Sequence, residues 1–131
     1  WYMSTDREGF PAFSGGVSLN TRDMARFGQL YCRYGRGVNN LQISSKKYIE
    51  ETIKRKSLPL DKRKNPPNYS NQTFTNGTWV GHGGYGGQFL LANPDTGISV
   101  SFFSVLTNRT AMDYAYLEDM VKMMESIALD Y

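Results

Sequence analysis

An α+β fold is predicted by three features of the chain. Two segments, residues 20–34 and 44–53, carry apolar side chains at helical spacing; two β-prone runs flank Asn93-Pro94-Asp95-Thr96-Gly97; and the run from Met112 to Leu129 is helical in period again. Helices, then an antiparallel edge hairpin, then a helix laid on the sheet is an order in which each amphipathic element can bury one face. At 131 residues the chain is the size of one domain and can bury a core. It reads as a single domain, 1–131, with a loop and helical part (1–67) followed by a sheet hairpin and terminal helix (68–131).

The opening stretch, Trp1 to Gly16, is rich in aromatics and turn residues and has neither period, so it is expected to be a loop laid over a surface. Asn20 or Thr21 then caps a helix, with Asp23 in its first turn and Met24, Phe27, Leu30, Tyr31 and Tyr34 on one side; Gly35 and Gly37 end it. Arg22, Asp23 and Arg26 sit where helix-dipole and ion-pair contacts are expected. A second helix starts at Ser44 or Ser45, with Tyr48, Ile49, Thr52 and Ile53 facing inward. Tyr69 to Thr78 is polar and β-prone, and Tyr69-Ser70-Asn71 reads as loop. The strands Leu90–Asn93 and Ile98–Leu106 are joined by a turn that begins with Pro and Asp and ends with Gly. In the last helix Tyr116, Met120, Met123, Met124 and Ile127 share a face, the methionines as adaptable core filler.

The formal charge of +3 comes largely from Lys54-Arg55-Lys56 and Lys62-Arg63-Lys64. Pro59, Pro66 and Pro67 break that segment and no aromatic side chain is interleaved for base stacking, so it reads as a solvated loop and no nucleic-acid partner is expected. One cysteine, Cys32, excludes an internal disulfide, and one histidine, His82, leaves too few ligands for a transition metal; neither metal nor other cofactor is expected. No run is long and apolar enough for a membrane span. The chain begins at Trp1 rather than Met, and is read as a piece cut from something longer whose targeting segment lies elsewhere. Compartment stays open, periplasmic or secreted ahead of cytoplasmic.

The chemistry concentrates in Gly81-His82-Gly83-Gly84-Tyr85-Gly86-Gly87-Gln88. Five glycines in eight residues make a poor strand interior unless something lies close to the backbone, and that something is expected to be a ligand. A strand edge bare of side chains can place a backbone N–H about 3 Å from a developing oxyanion. Gly83 and Gly84 keep that approach open, while His82 is a donor tunable near neutral pH. The bland reading, a packed histidine with glycines serving tight turns, competes with it.

Two sets of words carry a resemblance. "DREGFPAFSGGVSLNTRDMARFG", within Trp1 to Gly28, resembles the segment of class C β-lactamase-like serine hydrolases between their second and third active-site motifs, above all in the esterase and nylon-oligomer hydrolase branch. "GHGGYGGQFLLANPDTG" resembles the third motif and its hairpin. The resemblance implies the carboxy-terminal portion of the β-lactamase/DD-peptidase fold and an acyl-transfer enzyme. In that family a serine of Ser-x-x-Lys attacks a carbonyl, assisted by its lysine and by the tyrosine of Tyr-x-Asn. His82, Gly83 and Gly84 match the third motif, and Tyr85 falls where a backbone N–H completes the oxyanion hole. His in place of Lys argues against a dedicated β-lactamase. In related hydrolases the loop before "DREGFP" approaches the cleft, so Trp1 and Tyr2 are expected either as part of a substrate wall or as hydrophobic cover.

Ser44-Ser45-Lys46-Lys47 and Tyr69-Ser70-Asn71 satisfy the other two motifs as patterns. Both read as decoys. A nucleophilic serine needs its lysine one turn away in a desolvated place, whereas Ser44 leads a highly charged surface helix. Family order also puts the true motifs before Trp1. The chain is therefore expected to lack the nucleophile and to need a missing amino-terminal segment carrying Ser-x-x-Lys and Tyr-x-Asn. With it, the expected substrate is a small ester or amide cleaved through an acyl-enzyme. The competing class is a non-catalytic binding module for peptide or cell-wall-like ligands.

Overall fold

A five-stranded antiparallel sheet with strictly sequential order, covered by helices from both ends of the chain, forms the body of the protein. The computed structural model describes residues 2–12, 15–54, 68–104 and 113–130; Trp1, the basic cluster beyond Lys54 and the end of the predicted second hairpin strand lie outside them. The architecture is α+β, with three helices and two antiparallel sheets among the described residues.

The opening stretch is not a plain loop. Strand β1 (Tyr2–Met3) pairs with β2 (Val17–Ser18) as a short ribbon, in register Tyr2 with Ser18. The turn between them is built by Asp6, whose Oδ1 accepts from the N–H groups of Glu8 and Phe10, both at 2.9 Å. That local side-chain cap supplies the pairing signal that periodicity cannot show.

Helix α1 (Thr21–Cys32) starts at Asn20, whose Oδ1 accepts from Asp23 N–H at 2.8 Å, a cap worth about 1 kcal/mol. Arg26 pairs with Asp23 at 2.9 Å on the exposed side. Its buried face is Gly28, Tyr31 and Cys32 rather than Phe27, which stays 42% exposed. Gly28 permits the contact, because a Cβ there would stand 2.8 Å from both Leu90 and Ser99 side chains. Helix α2 (Lys46–Lys54) buries Ile49, Thr52 and Ile53 and leaves Tyr48 half-exposed. Tyr31, Cys32, Ile49, Ile53, Val80 and Ala92 form one core cluster.

Strands β3 (Asn68–Ser70) and β4 (Thr73–Thr75) form a hairpin, so the expectation of a loop at Tyr69-Ser70-Asn71 is corrected. Its two-residue turn puts Asn71 and Gln72 at φ of 48° and 61°. Left-handed pairs of this kind match the twist of the flanking strands, and Asn tolerates the conformation. Strand β5 (Val80–Gly83) pairs with β4 only through Val80 and Gly81, and with β6 (Phe89–Asn93) along its whole length. Strand β7 (Ile98–Phe102) closes the order, joined to β6 by a turn in which Gly97 takes φ of 75° and Asn93 Oδ1 accepts from Asp95 N–H. Among the described residues no strand pairs with the outer edge of β7.

Helix α3 (Tyr114–Leu129), capped by Asp113, lies on the opposite face from α1. Met124 is almost wholly buried among Phe74, Trp79, Phe89 and Leu91, with Met120, Val121 and Met123 at the border. Burying such side chains contributes roughly 1.5–3 kcal/mol each, so the two clusters clamp the sheet from both sides and hold β5 and its turn in place.

Candidate active site

Side chains alternate across β5, and this sorts the glycine-rich stretch into two faces. Val80 belongs to the α1-side cluster, and His82, two residues on, reaches the same helix. Gly81 faces the other way, but its glycine is required by the sheet itself: a Cβ would lie 2.3 Å from the Leu90 carbonyl oxygen of β6. The expectation that the glycines make room for a ligand therefore does not apply at Gly81. Gly86 and Gly87 also have internal reasons, each taking φ of 85° in the turn that follows the strand. Gly83 and Gly84 remain as the two glycines at the strand end itself.

The main chain there is oriented by one hydrogen bond. Gly84 N–H donates to the Gln88 carbonyl at 2.8 Å, across the hairpin. Because successive residues in a strand direct their N–H groups to opposite edges, the Gly83 N–H points away from β6, to the edge where β4 has ceased to pair. Tyr85 follows in the turn, with its side chain 75% exposed, and no hydrogen bond among the described residues takes its N–H. Gln88 Nε2 donates to the Ser104 carbonyl at 3.0 Å, and Ser104 Oγ lies 2.9 Å from the carbonyls of both Gly86 and Gly87, so the turn is laced to the residue beyond β7.

His82 is half-buried, and its Nε2 lies 2.7 Å from the phenolic oxygen of buried Tyr31. Phe27 completes the aromatic surround, 6.0 Å from the His82 ring and edge-on to Tyr31 at 5.8 Å. Burial pushes the imidazole below its ordinary value and the phenol above its own, because each charged form loses water without gaining an ion partner. His82 is thus a neutral group at pH 7. Tyr31 and Phe27 are site neighbours that motif reading does not single out. The helical register of Phe27 and Tyr31 is the one signal that could have placed them together.

The remaining motif residues lie elsewhere. Ser45 caps α2, its Oγ accepting from Tyr48 N–H at 3.3 Å. Lys47, the lysine of Ser44-x-x-Lys, is exposed and pairs with Glu51 at 3.8 Å, while Lys46 pairs with Glu50 and lies over the Tyr34 ring. Tyr69 packs on Phe74 with ring centres 5.3 Å apart, and Asn71 Nδ2 donates to Thr52 Oγ1, so this pair serves the hairpin. Tyr2 is on the exposed β1 ribbon and Trp1 is outside the described residues.

An open groove of about 590 Å³ lies away from His82, along the outer edge of β7 between the start of α1 and the end of α3, lined by Thr21, Ala25, Gln29, Ile98, Val100 and Ile127 among others. The glycine-rich site is instead a strand edge, where among the described residues pairing with β4 ends at Gly81. Among the described residues no three His, Cys, Asp or Glu side chains gather as a metal site, and no helix is long and apolar enough to cross a membrane.

No curated protein matches the chain. A family model does, over residues 3–121, which take in the opening ribbon from Met3 on, helices α1 and α2, the whole five-stranded sheet and the first half of α3. The segment resembling the family between its second and third motifs and the hairpin resembling the third motif both fall inside that span, in family order, and the chain belongs to the Beta-lactamase family.

Proposed function

We propose that this chain supplies one wall of a serine hydrolase site of the class C-like, esterase-related kind, cleaving an ester or amide through an acyl-enzyme. In this reading the outward N–H groups at the end of β5, that of Tyr85 above all, form half of an oxyanion hole, with Gly83 and Gly84 leaving the approach clear and His82 contacting the substrate. A further segment carrying Ser-x-x-Lys and Tyr-x-Asn brings the nucleophile, its lysine and the catalytic tyrosine.

The observation that carries the proposal is the local end of pairing on one side of β5. Strand β4 pairs through Gly81 and no further, while β6 continues past Gly83. A backbone donor next to a side-chain-free edge is what a tetrahedral oxyanion needs, and such a donor is worth about 3–4 kcal/mol in the transition state. The exposed Lys47, turned to Glu51, supports an external nucleophile.

The test is covalent labelling of the complete protein, or of this chain reconstituted with the missing segment, by a fluorophosphonate or a penicillin-type probe, read by intact mass. An adduct on a serine outside these 131 residues is expected. No adduct under any condition sinks the hydrolase reading, and reversible probe binding without an adduct would identify a binding module. An adduct on Ser44 would overturn the division of labour.

A further inference from the structure

The contact between Tyr31 and His82 joins α1 to β5 at the one imidazole in the chain. At 2.7 Å the two groups share a short hydrogen bond whichever of them donates. Chemistry assigns the roles, because a phenol is the better acid of the two and a neutral imidazole nitrogen the better base. The phenol of Tyr31 is then the donor and His82 Nε2 the acceptor.

We propose that Tyr31 is a positioning residue that fixes His82 in the Nδ1–H tautomer, so that the ring meets a ligand as an uncharged donor. With Nε2 occupied by the phenol, Nδ1 is the ring nitrogen left for a substrate. Among the described residues, the pair is faced by Phe27 beside the ring, Leu90 opposite on β6, Thr73 on β4 and Tyr48 on α2. A neutral N–H suits the oxygen of an ester or amide and offers no countercharge to a substrate carboxylate, unlike a lysine at the same place. This consequence for substrate class rests on the acyl-transfer reading; the tautomer does not.

Imidazole ¹⁵N NMR of the complete protein near pH 8 tests it, with the His82 signals assigned by their loss in His82→Asn. The expected spectrum has a protonated, pyrrole-type Nδ1 and an unprotonated Nε2, the reverse of the tautomer that free histidine prefers. Tyr31→Phe, which keeps the ring packing, is expected to return the population toward Nε2–H. Nε2–H in the wild-type protein overturns the proposal, and so does an unchanged Nδ1–H in Tyr31→Phe. Should that variant not fold, the wild-type spectrum decides alone. The measurement needs no turnover, so a failure to label with acylating probes would sink the hydrolase reading and leave this result standing.

Discussion

Ser104 Oγ lies 2.9 Å from the Gly87 carbonyl, and a Cβ on Gly87 would come within 2.5 Å of that same hydroxyl. The residue after β7 is therefore moulded to the turn that follows β5. Ser104→Ala removes the donor shared by the Gly86 and Gly87 carbonyls and is expected to cost about 1–2 kcal/mol. The urea midpoint is the measurement; an unmoved midpoint would show that water replaces the hydroxyl without loss.

Gly81→Ala sets a methyl 2.3 Å from a backbone oxygen of β6, and backbone cannot step aside as a flexible side chain can. A loss on the order of 3 kcal/mol is expected, the upper end of what overpacking a close contact costs. Gly15→Ala, with nothing within 4 Å of the added Cβ, is the control and is expected within about 0.5 kcal/mol of the parent. Equal stability for the two variants would contradict the close approach of β5 and β6.

Burial lowers the His82 pKa from 6.5 in the folded chain. As pH falls below 6.5 the unfolded state takes up a proton that the folded state refuses, so stability declines through the window between 6.5 and the lower folded value. Above 6.5 the contribution is constant, and below the folded value the loss is complete. Denaturant midpoints across pH 5–8 are expected to show this fall, and His82→Asn to remove that component. A difference between parent and variant that does not vary with pH would show that the imidazole titrates alike in both states.

Cys32 donates its thiol toward the Ile98 carbonyl at 3.3 Å, and burial pushes its pKa to about 11. At pH 8 the thiolate fraction is then on the order of 10⁻³. Alkylation by iodoacetamide is expected to be negligible in the folded chain and complete after unfolding, which makes the single thiol a reporter of global opening. Rapid native-state labelling would place Cys32 nearer the surface than the α1–β7 packing has it.

If Tyr85 serves the proposed oxyanion hole through its N–H alone, Tyr85→Phe leaves hydrolysis by the complete protein within about twofold, since its exposed phenol is not used. Gly84→Val is expected to lower kcat/KM by 10²-fold or more, about 3 kcal/mol, since a branched side chain there meets Gln88 Oε1 at 3.0 Å and fills the approach. A large loss in Tyr85→Phe would give the phenol a role of its own.

Much of this fold was written in local signals. Asn20 with Asp23, Asp95 with Gly97, and the period of Tyr116, Met120 and Met124 each specify an element through contacts made within a few residues, and those elements appear where expected. The β1–β2 ribbon and the Tyr69 hairpin were hidden, because Asp6 and the left-handed Asn71-Gln72 pair act through turn geometry rather than hydrophobic period. At the site, the glycine-rich motif pointed to His82, yet the sequence assigned Gly81 to a ligand when the neighbouring strand already fills that space. Tyr31 is 51 positions from His82, and a polar contact at that separation leaves no local trace.

The outer rim of β7 bears on how the chain behaves in isolation. Ile98-Ser99-Val100-Ser101-Phe102 presents an unclaimed ladder of amides among the described residues, with neither lysine nor proline along it to discourage pairing. Strand borders of that composition recruit one another. Produced alone and concentrated, the chain is prone to zip into ribbons through this rim, so its solubility depends on what is laid against it as much as on its own core.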